Sequence, residues 1–252
     1  MSGTLPTVRG GAQCLYPVTR TVQFLTDIAT ALNASEQRFK RRPPLTIFTL
    51  PYKSMSATDT STMKAFFESQ KGEFDSTWSF TLGSTTYAAL TFLDSAFTVQ
   101  ESSPTTYSFT LRARQTKNPG QTAGTAGSAF PALSTGTRAQ LPYTQIRRFA
   151  ALVNDNPIGP RYTYTWFAGA LSGFPTRSLR GWELSYPALN DADLSTLESH
   201  YRNQWGRWAT FSFTDPDDAT VYANCRYDDD ALVITHQQKG VNSLTLKIIE
   251  TN

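Results

Sequence analysis

One eight-residue pattern occurs twice in this chain, first as Leu45-Thr46-Ile47-Phe48-Thr49-Leu50-Pro51-Tyr52 and again 134 positions later as Leu179-Arg180-Gly181-Trp182-Glu183-Leu184-Ser185-Tyr186. In both stretches large apolar side chains alternate with other residues, as in a strand that has one buried face. Phe48 corresponds to Trp182, Leu50 to Leu184 and Tyr52 to Tyr186. Strands that match at a fixed spacing predict an internal repeat within the 252 residues.

The same spacing continues through a predicted helix after each strand. The first helix is predicted over Ala57 to Lys71 and the second over Asn190 to Trp205, because apolar residues recur on one face of each. Thr58 or Asp59 is the expected N-cap of the first helix. Each helix is expected to stop at a glycine, where a left-handed backbone is least costly: Gly72 and Gly206.

Further strands follow each helix in the same order: an aromatic-rich alternating strand, a second strand and a closing hairpin. In the first copy they are predicted over Ser76 to Thr81, Thr85 to Leu93, Phe97 to Glu101 and Thr106 to Arg114. In the second copy they are predicted over Ala209 to Thr214, Thr220 to Tyr227, Leu232 to Gln237 and Ser243 to Glu250. Agreement in this order supports a duplication.

A less similar segment, which we interpret as a hairpin arm, precedes each copy. The first arm pairs Val18 to Ile28 with Glu36 to Lys40, and the second pairs Thr144 to Val153 with Arg161 to Phe167. Long hairpins of this kind are suited to reaching a neighbouring subunit. The Gly-, Thr- and Ala-rich residues 116–130 are predicted to be a linker. The predicted domains are therefore residues 1–115 and 131–252.

These elements predict a mainly β fold with one helix per domain, of the α+β type. The apolar face of each sheet needs a second layer, which the helix or another sheet can supply. We therefore expect two tandem domains with extended β-hairpin arms, each domain a β-sandwich or partly open barrel flanked by a helix.

Three stretches of the second copy resemble one protein family: Phe130-Pro131-Ala132-Leu133, Gly181 to Tyr186, and Gly206 to Asp218. In that family a strand ending in tyrosine is followed by a helix, a glycine, an aromatic residue and a turn of the form F-x-D-P-x-D. The chain is similar in these respects to the distal tail proteins of siphophages and gene-transfer agents, which belong to the tail tip and baseplate hub. The similarity covers about half of the chain, and Ala209 stands where an acid is expected.

The resemblance implies two tail-tube-like domains in a structural, non-enzymatic virion protein of a bacteriophage tail. It implies a ring around the tail channel that joins the tail tube to the tip. The implied partners are the tail tube protein, other hub proteins and the tape-measure protein, with transient passage of DNA. A homotrimer with pseudo-six-fold symmetry is the favoured assembly and a hexamer is the alternative. Assembly would take place in the host cytoplasm.

The composition fits a protein covered by neighbours better than a dedicated nucleic-acid binder. The formal net charge is only +3, and charged residues make up 17%, whereas nucleic-acid binders usually concentrate basic residues on one face. Aromatic residues reach 13%, which favours strands and interfaces. No apolar run approaches the length of a membrane span, so we expect no membrane insertion by the chain itself. Cys14 and Cys225 are expected to be reduced or buried.

The candidate interface residues lie on the two predicted arms. The densest basic run contains Arg38, Arg41 and Arg42, and it is interpreted either as a solvated arm or as a surface for a partner or DNA. The candidates on the second arm are Arg161, Trp166 and Phe167, among which Trp166 is best suited to subunit contact.

No catalytic, cofactor or metal site is predicted. His200 and His236 have no Cys or His companion at metal-ligand spacing, and no nucleophile or phosphate-binding motif is present. The acidic turn Asp215-Pro216-Asp217-Asp218 can be interpreted as turn chemistry, as oxygen ligands for a cation or as part of a glycosidase pair. We favour the turn, because the first copy replaces it with residues 82–85, which include no acid.

A carbohydrate-binding adhesion module of the tail tip is the alternative function. Four of the five tryptophans lie in the second copy, and aromatic platforms can stack on sugars. However, Trp182 and Trp208 correspond to Phe48 and Phe74, which favours packing in a core. Duplication of a unit that contains a helix also favours the structural function.

Overall fold

The computed structural model describes residues 3–30, 36–70, 77–115, 127–134, 144–148, 179–216 and 219–251. Within these ranges the chain forms thirteen β-strands and two α-helices. In chain order they are β1 Gly3–Thr4, β2 Val18–Thr30, β3 Glu36–Met55, α1 Ala57–Ser69, β4 Trp78–Leu82, β5 Thr85–Phe92, β6 Val99–Ser103, β7 Thr106–Gln115, β8 Thr144–Arg148, β9 Leu179–Leu189, α2 Asp191–Asn203, β10 Phe211–Thr214, β11 Val221–Tyr227, β12 Ala231–Gln238 and β13 Val241–Glu250.

The described strands belong to one hydrogen-bonded sheet. Its main path runs β1-β4-β5-β7-β3-β2-β12-β13-β11-β10, while β6 pairs with β7 and β9 pairs with both β13 and β8. Every pairing between these strands is antiparallel except that of β1 with β4. The prediction of a mainly β fold is confirmed.

The first half of the chain (residues 3–115) and the second half (residues 127–251) pair their strands in the same register. The second-half strands β9 and β13 correspond to the end of β3 and to β7, at shifts of 134 and 135 positions. The closing hairpins β6–β7 and β12–β13 agree in the same way. The corresponding pairs are Phe48–Ala113 with Trp182–Ile248, Leu50–Leu111 with Leu184–Leu246, Tyr52–Phe109 with Tyr186–Leu244, and Val99–Phe109 with Ile234–Leu244. These pairs support the interpretation of an internal repeat.

The two helices begin at caps that are 134 positions apart. Ser56 Oγ accepts a hydrogen bond from the backbone N–H of Asp59 at 3.1 Å, and Asn190 Oδ1 accepts one from the N–H of Asp193 at 2.8 Å. The prediction of Thr58 or Asp59 as the first N-cap is wrong, because the extended residue Ser56 places its hydroxyl over the first turn. In the described part of the chain, neither helix has the length and apolar character needed to cross a membrane.

Each half has its own hydrophobic core, closed by its helix. Met63 and Phe67 on α1 pack into the first core, and Leu194, Leu197 and Tyr201 on α2 pack into the second. These residues recur three or four positions apart, so they lie on one face of the helix. In both halves the helix therefore covers the apolar face of the sheet.

The two cysteines are buried thiols that are not joined in a disulfide, as the sequence predicts. Cys14 belongs to the first core and Cys225 to the second. Burial raises the pKa of the Cys14 thiol to about 11, so this group is almost entirely protonated at neutral pH.

The strand β3 is a single strand of 20 residues, and the prediction of separate strands Glu36–Lys40 and Leu45–Tyr52 is wrong. Pro43 and Pro44 lie inside it. The register between β2 and β3 shifts twice near these prolines, between Gln23 and Thr26 on β2. Prolines have no N–H for the ladder and are tolerated at such irregularities, so the strand bends locally instead of ending.

The segments that precede the arms also correspond between the halves. Leu5 donates its backbone N–H to the carbonyl of Ser79 at 2.8 Å, and Phe130 donates to that of Ser212 at 2.8 Å. The ring of Phe130 also lies against the second core, 5.4 Å from the ring of Phe213 between centroids. Residues 127–130, the end of the predicted linker, therefore contact the rest of the second half. The domain boundary itself stays a prediction.

Of the predicted second arm, Thr144 to Val153 with Arg161 to Phe167, the structure describes the strand β8. This strand pairs with β9 as the start of β2 pairs with β3. The corresponding pairs are Thr19–Thr49 with Thr144–Glu183, Arg20–Phe48 with Gln145–Trp182, and Thr21–Ile47 with Ile146–Gly181. The strand β8 is therefore the counterpart of β2, at a shift of 125 positions.

Candidate assembly site at the junction of the halves

The strand β2 joins the two halves by belonging to both. One edge pairs with β3 of the first half, and the other edge pairs antiparallel with β12 of the second half over six residue pairs. Val18 lies in the first core, whereas Val22 and Phe24 lie in the second. The first arm thus adds a strand to the neighbouring sheet, which is a recognised mode of joining protein surfaces.

A buried charge cluster lies across this junction. Arg20 on β2 donates from Nη2 to Glu198 Oε2 on α2 at 2.5 Å and from Nη1 to the hydroxyl of Tyr87 on β5 at 3.0 Å. Arg202 Nε donates to the other oxygen of Glu198 at 2.8 Å. Burial alone would raise the pKa of Glu198, but Arg20 and Arg202 outweigh it and hold the pKa below its usual value of 4.5. The ionised carboxylate therefore binds the helix of one half to a strand shared by both.

A polar cavity of about 240 Å³ lies beside this cluster, lined by residues of both halves. In its wall His236 Nδ1 lies 2.5 Å from Asn242 Oδ1. Burial lowers the pKa of His236, so the imidazole is neutral at neutral pH. Across the ranges that the structure describes, no three His, Cys, Asp or Glu side chains are grouped to hold a metal ion. Because residues of both halves line the cavity, we interpret it as part of the contact between the halves.

A second ion-pair cluster holds the first arm on the second half. Glu36 on β3 receives two hydrogen bonds of 2.9 Å from Arg226 on β11, one to each carboxylate oxygen. Arg38 Nε also donates to Glu36, at 2.8 Å. Burial opposes the charge of Glu36, but Arg226 and Arg38 hold its pKa below the usual value of 4.5. A bidentate arginine pair of this kind fixes the orientation as well as the position of the arm.

Two tryptophans after α2 complete the contact with the arm. The ammonium group of Lys40 lies 4.0 Å from the ring centroid of Trp205 and 3.7 Å from that of Trp208, which is cation–π geometry. Trp208 Nε1 donates to the carbonyl of Arg38 at 3.2 Å, and Arg38 Nη1 donates to the carbonyl of Trp208 at 3.0 Å. Through these contacts both the backbone and the side chains of the arm bind to the second half.

The position of the tryptophans depends on a left-handed turn at the end of α2. Trp205 and Gly206 have φ angles of 56° and 60°. A Cβ atom on Gly206 would lie 3.1 Å from Asp230 Oδ1 and 3.3 Å from a ring carbon of Phe24. Gly206 is therefore needed for both its backbone conformation and its closeness to the arm, in agreement with the glycine predicted at the helix end.

The structure describes the side chains of two predicted interface residues, Arg38 and Arg41. Arg38 contacts the second half of its own chain, and Arg41 forms an exposed ion pair with Asp27 within the arm. The side chain of Arg42 and all of Arg161, Trp166 and Phe167 lie outside the described residues. Their contribution to contacts between chains stays a prediction. The prediction that Trp208 packs in a core is wrong, because its half-buried ring lies against Lys40 of the arm. The other residues of the junction for which the sequence predicted no such contact are Arg20, Glu36, Lys40, Glu198, Arg202, Trp205 and Arg226.

We predict that the junction weakens in acid. Glu36 and Glu198 have pKa values below 4.5 in the folded chain, so their ion pairs stabilise it fully above about pH 4.5, and this contribution is lost as the pH falls through the lowered pKa values. Between about pH 5 and pH 3 the unaltered chain should lose more free energy of unfolding than Glu36→Gln, as measured by urea unfolding. Equal losses would show that Glu36 does not carry this contribution.

Within the predicted acidic turn, Asp215 is a buried hydrogen-bond acceptor as well as a turn residue. Its Oδ2 accepts from the indole N–H of Trp182 at 2.8 Å. Its backbone N–H donates to Thr220 at 2.9 Å, and its carbonyl accepts from the N–H of Ala219 at 3.0 Å, which closes the turn. Pro216 is exposed, and Asp217 and Asp218 lie outside the described residues.

We predict that Trp182 and Asp215 are energetically coupled. The first half has a buried apolar pair, Phe48 and Leu82, at the corresponding positions. Asp215→Leu alone should cost about 1–3 kcal/mol, because it leaves the buried indole N–H without this acceptor. Adding Trp182→Phe removes that N–H. The double variant should therefore lose about 1 kcal/mol less free energy of unfolding than the sum of the losses of the two single variants. A double-mutant cycle by urea unfolding measures this, and strictly additive losses would contradict it.

No protein-family model matches the sequence, and a search of curated proteins found no match. The function proposed below therefore rests on the junction just described and on the resemblance stated for the sequence.

Proposed function

We propose that this chain is a structural virion protein of a bacteriophage tail tip, a distal tail or baseplate hub component that forms a ring around the tail channel and joins the tail tube to the tip. Each half is then a tail-tube-like domain, of β-sandwich or barrel type, with its helix on the outside. The protein has no catalytic task in this proposal. It is assembled in the host cytoplasm and functions in the virion.

The observation that supports this proposal best is the shared strand β2. Two halves with the same strand register stand side by side in one continuous sheet, joined by an arm of the first half. A ring needs a unit that joins its neighbour through one surface and is joined through a different one. The junction within this chain already has that form, because the first half donates the strand and the second half receives it.

The proposed assembly is a homotrimer with six pseudo-equivalent halves, and six chains in two layers are the alternative. The proposed partners are the tail tube protein, other tip and hub proteins and the tape-measure protein. DNA would pass through the channel only transiently. The net charge of +3 suits this passage, because a strongly basic lining would bind the phosphate backbone.

The described tryptophans do not favour the carbohydrate-binding alternative. Trp78 and Trp182 are 1% exposed, and Lys40 covers the rings of Trp205 and Trp208. A sugar platform needs an aromatic face that is open to the ligand, whereas Trp78 and Trp182 are buried and Lys40 occupies a face of each of the other two described tryptophans.

The proposal is tested by mixing the purified chain with tubes assembled from the tail tube protein of the same phage and imaging them by electron microscopy. We expect rings with a central channel that cap one end of each tube. Uncapped tubes, together with binding of the chain to a glycan on a screening array, would overturn the structural proposal in favour of an adhesion module.

A further inference from the structure

Two other strands of the chain are equivalent to β2 and β12 but do not form a junction with each other. The strand β2 corresponds to β8, because both pair in the same register with equivalent strands, β3 and β9. The strand β12 corresponds to β6, because both form the closing hairpin with equivalent strands, β13 and β7. Within the chain β2 joins β12, whereas β8 and β6 do not pair with each other.

The strands β6 and β8 each have an edge that carries no strand of the described part of the chain. The pairing found for β6 is with β7 alone, and the pairing found for β8 is with β9 alone. All five residues of β6 are exposed, and Val99 has 37% of its surface open to solvent. An edge of this kind presents a row of backbone N–H and C=O groups that can bind another strand.

The sequence of β6 does not protect this edge. Val99-Gln100-Glu101-Ser102-Ser103 contains no proline and no lysine, the residues that commonly block pairing at an exposed edge. Its only charge is that of Glu101. The equivalent strand β12 is likewise free of proline and lysine, and it pairs with β2 through six of its eight residues. The edge of β6 is therefore chemically able to accept a strand.

We propose that β8 of one chain adds to the open edge of β6 in a second copy of this chain, as β2 adds to β12 within the chain. The internal junction fixes the register. Its pairs Val233–Thr21, Ile234–Arg20 and Thr235–Thr19 correspond to intermolecular pairs of Thr98 with Ile146, Val99 with Gln145 and Gln100 with Thr144.

This contact is heterologous, because each chain gives β8 to one neighbour and accepts β8 from another. Repetition of a heterologous contact closes into a ring when the rotation between chains allows it. The inference rests on the proposed ring-forming function and names the surface that performs it. Each chain would then contribute one internal and one intermolecular junction of the same kind.

The test uses thiols placed at one intermolecular pair and at its internal counterpart. Gln100→Cys with Thr144→Cys, carried on the same full-length chain, probes the contact between chains. Thr235→Cys with Thr19→Cys probes the described junction within one chain. Lys64→Cys on the exposed face of α1, combined with Thr144→Cys, gives the cross-linking yield that results from random encounters between chains. The native Cys14 and Cys225 are buried, and the unaltered chain gives the background yield of cross-linking from these two thiols. A short bismaleimide tolerates small differences in thiol spacing.

We expect the Gln100–Thr144 variant to give covalent multimers at a yield at least roughly tenfold above the Lys64–Thr144 variant, because paired strands hold the thiols at a high effective concentration. The Thr235–Thr19 variant should give cross-linked monomers. Assembled rings in which the Gln100–Thr144 yield does not exceed that of the encounter control would overturn the inference and leave the ring proposal standing. A chain that stays monomeric both alone and in the presence of tail tubes, and that gives no covalent multimers, would overturn both.

Discussion

Replacing Phe24 with alanine is expected to lower the free energy of unfolding of the second half by about 3–5 kcal/mol, the range for a phenylalanine in a closely packed core. Phe24 is 1% exposed and packs against Tyr201 and Trp205, at 5.7 Å and 5.9 Å between ring centroids. It comes from the arm of the first half, so a large loss would show that this arm is an integral part of the second core. Urea unfolding followed by tryptophan fluorescence measures the loss.

Phe39→Ala is the matched control, because Phe39 lies on the same arm but has 49% of its surface exposed. Its expected effect is within about 0.5 kcal/mol, as for surface substitutions in general. If both variants lost little stability, β2 would not be packed into the second core. If both lost as much as 3 kcal/mol, the arm as a whole would be sensitive and the burial of Phe24 would not explain the result.

Glu198→Gln is expected to destabilise the junction by about 3 kcal/mol or more, because it leaves the buried Arg20 without its compensating charge. The side chain of Arg20 is 7% exposed and that of Glu198 is 13% exposed. Glutamine keeps the shape and part of the hydrogen bonding, so the loss reports the charge. Thermal and urea unfolding at neutral pH measure it.

Glu68→Gln provides the comparison for Glu198→Gln. Glu68 pairs with Lys64 on α1 at 3.8 Å, and both side chains are more than 60% exposed. An exposed pair of this type contributes little, so the change should stay within about 0.5 kcal/mol. Similar effects of the two substitutions would contradict the buried cluster as a structural element of the junction.

Much of the fold could be predicted from the repeat. The alternation of Phe48, Leu50 and Tyr52, repeated by Trp182, Leu184 and Tyr186, fixed the strands, and the helix after each has the expected apolar face. The structure adds that the pairing register agrees as well. Alternation in a strand is a local property of the sequence, and it is reliable where one face is buried.

The sequence could not show which core each strand enters. Val18, Val22 and Phe24 alternate as one strand would, yet they divide between the two cores. Hydrophobic alternation reports that a face is buried, but it carries no information about the partner. The sequence predicted that the two arms correspond, but it could not give their register, Thr19 with Thr144, because the shift there is 125 positions instead of 134 and the arms are less similar.

The ion pairs of the arm could not be predicted for a related reason. The run around Arg38 and Lys40 has the composition of a solvated basic surface. Its partners Trp205 and Trp208 lie more than 160 positions away, as does Arg226, which pairs with the neighbouring Glu36, and the pairing of β2 with β12 brings them close to the arm. The Glu36 carboxylate is the one local sign, because an acid two residues before an arginine can pair within the strand.

Assembly of this chain with copies of itself into a closed ring can be measured by native mass spectrometry of the purified protein, with the particles imaged by cryo-electron microscopy. We expect a mass of three chains, or of six, and a ring in which the halves repeat around a central channel. A strictly monomeric mass up to the solubility limit, both alone and in the presence of tail tubes, would contradict it.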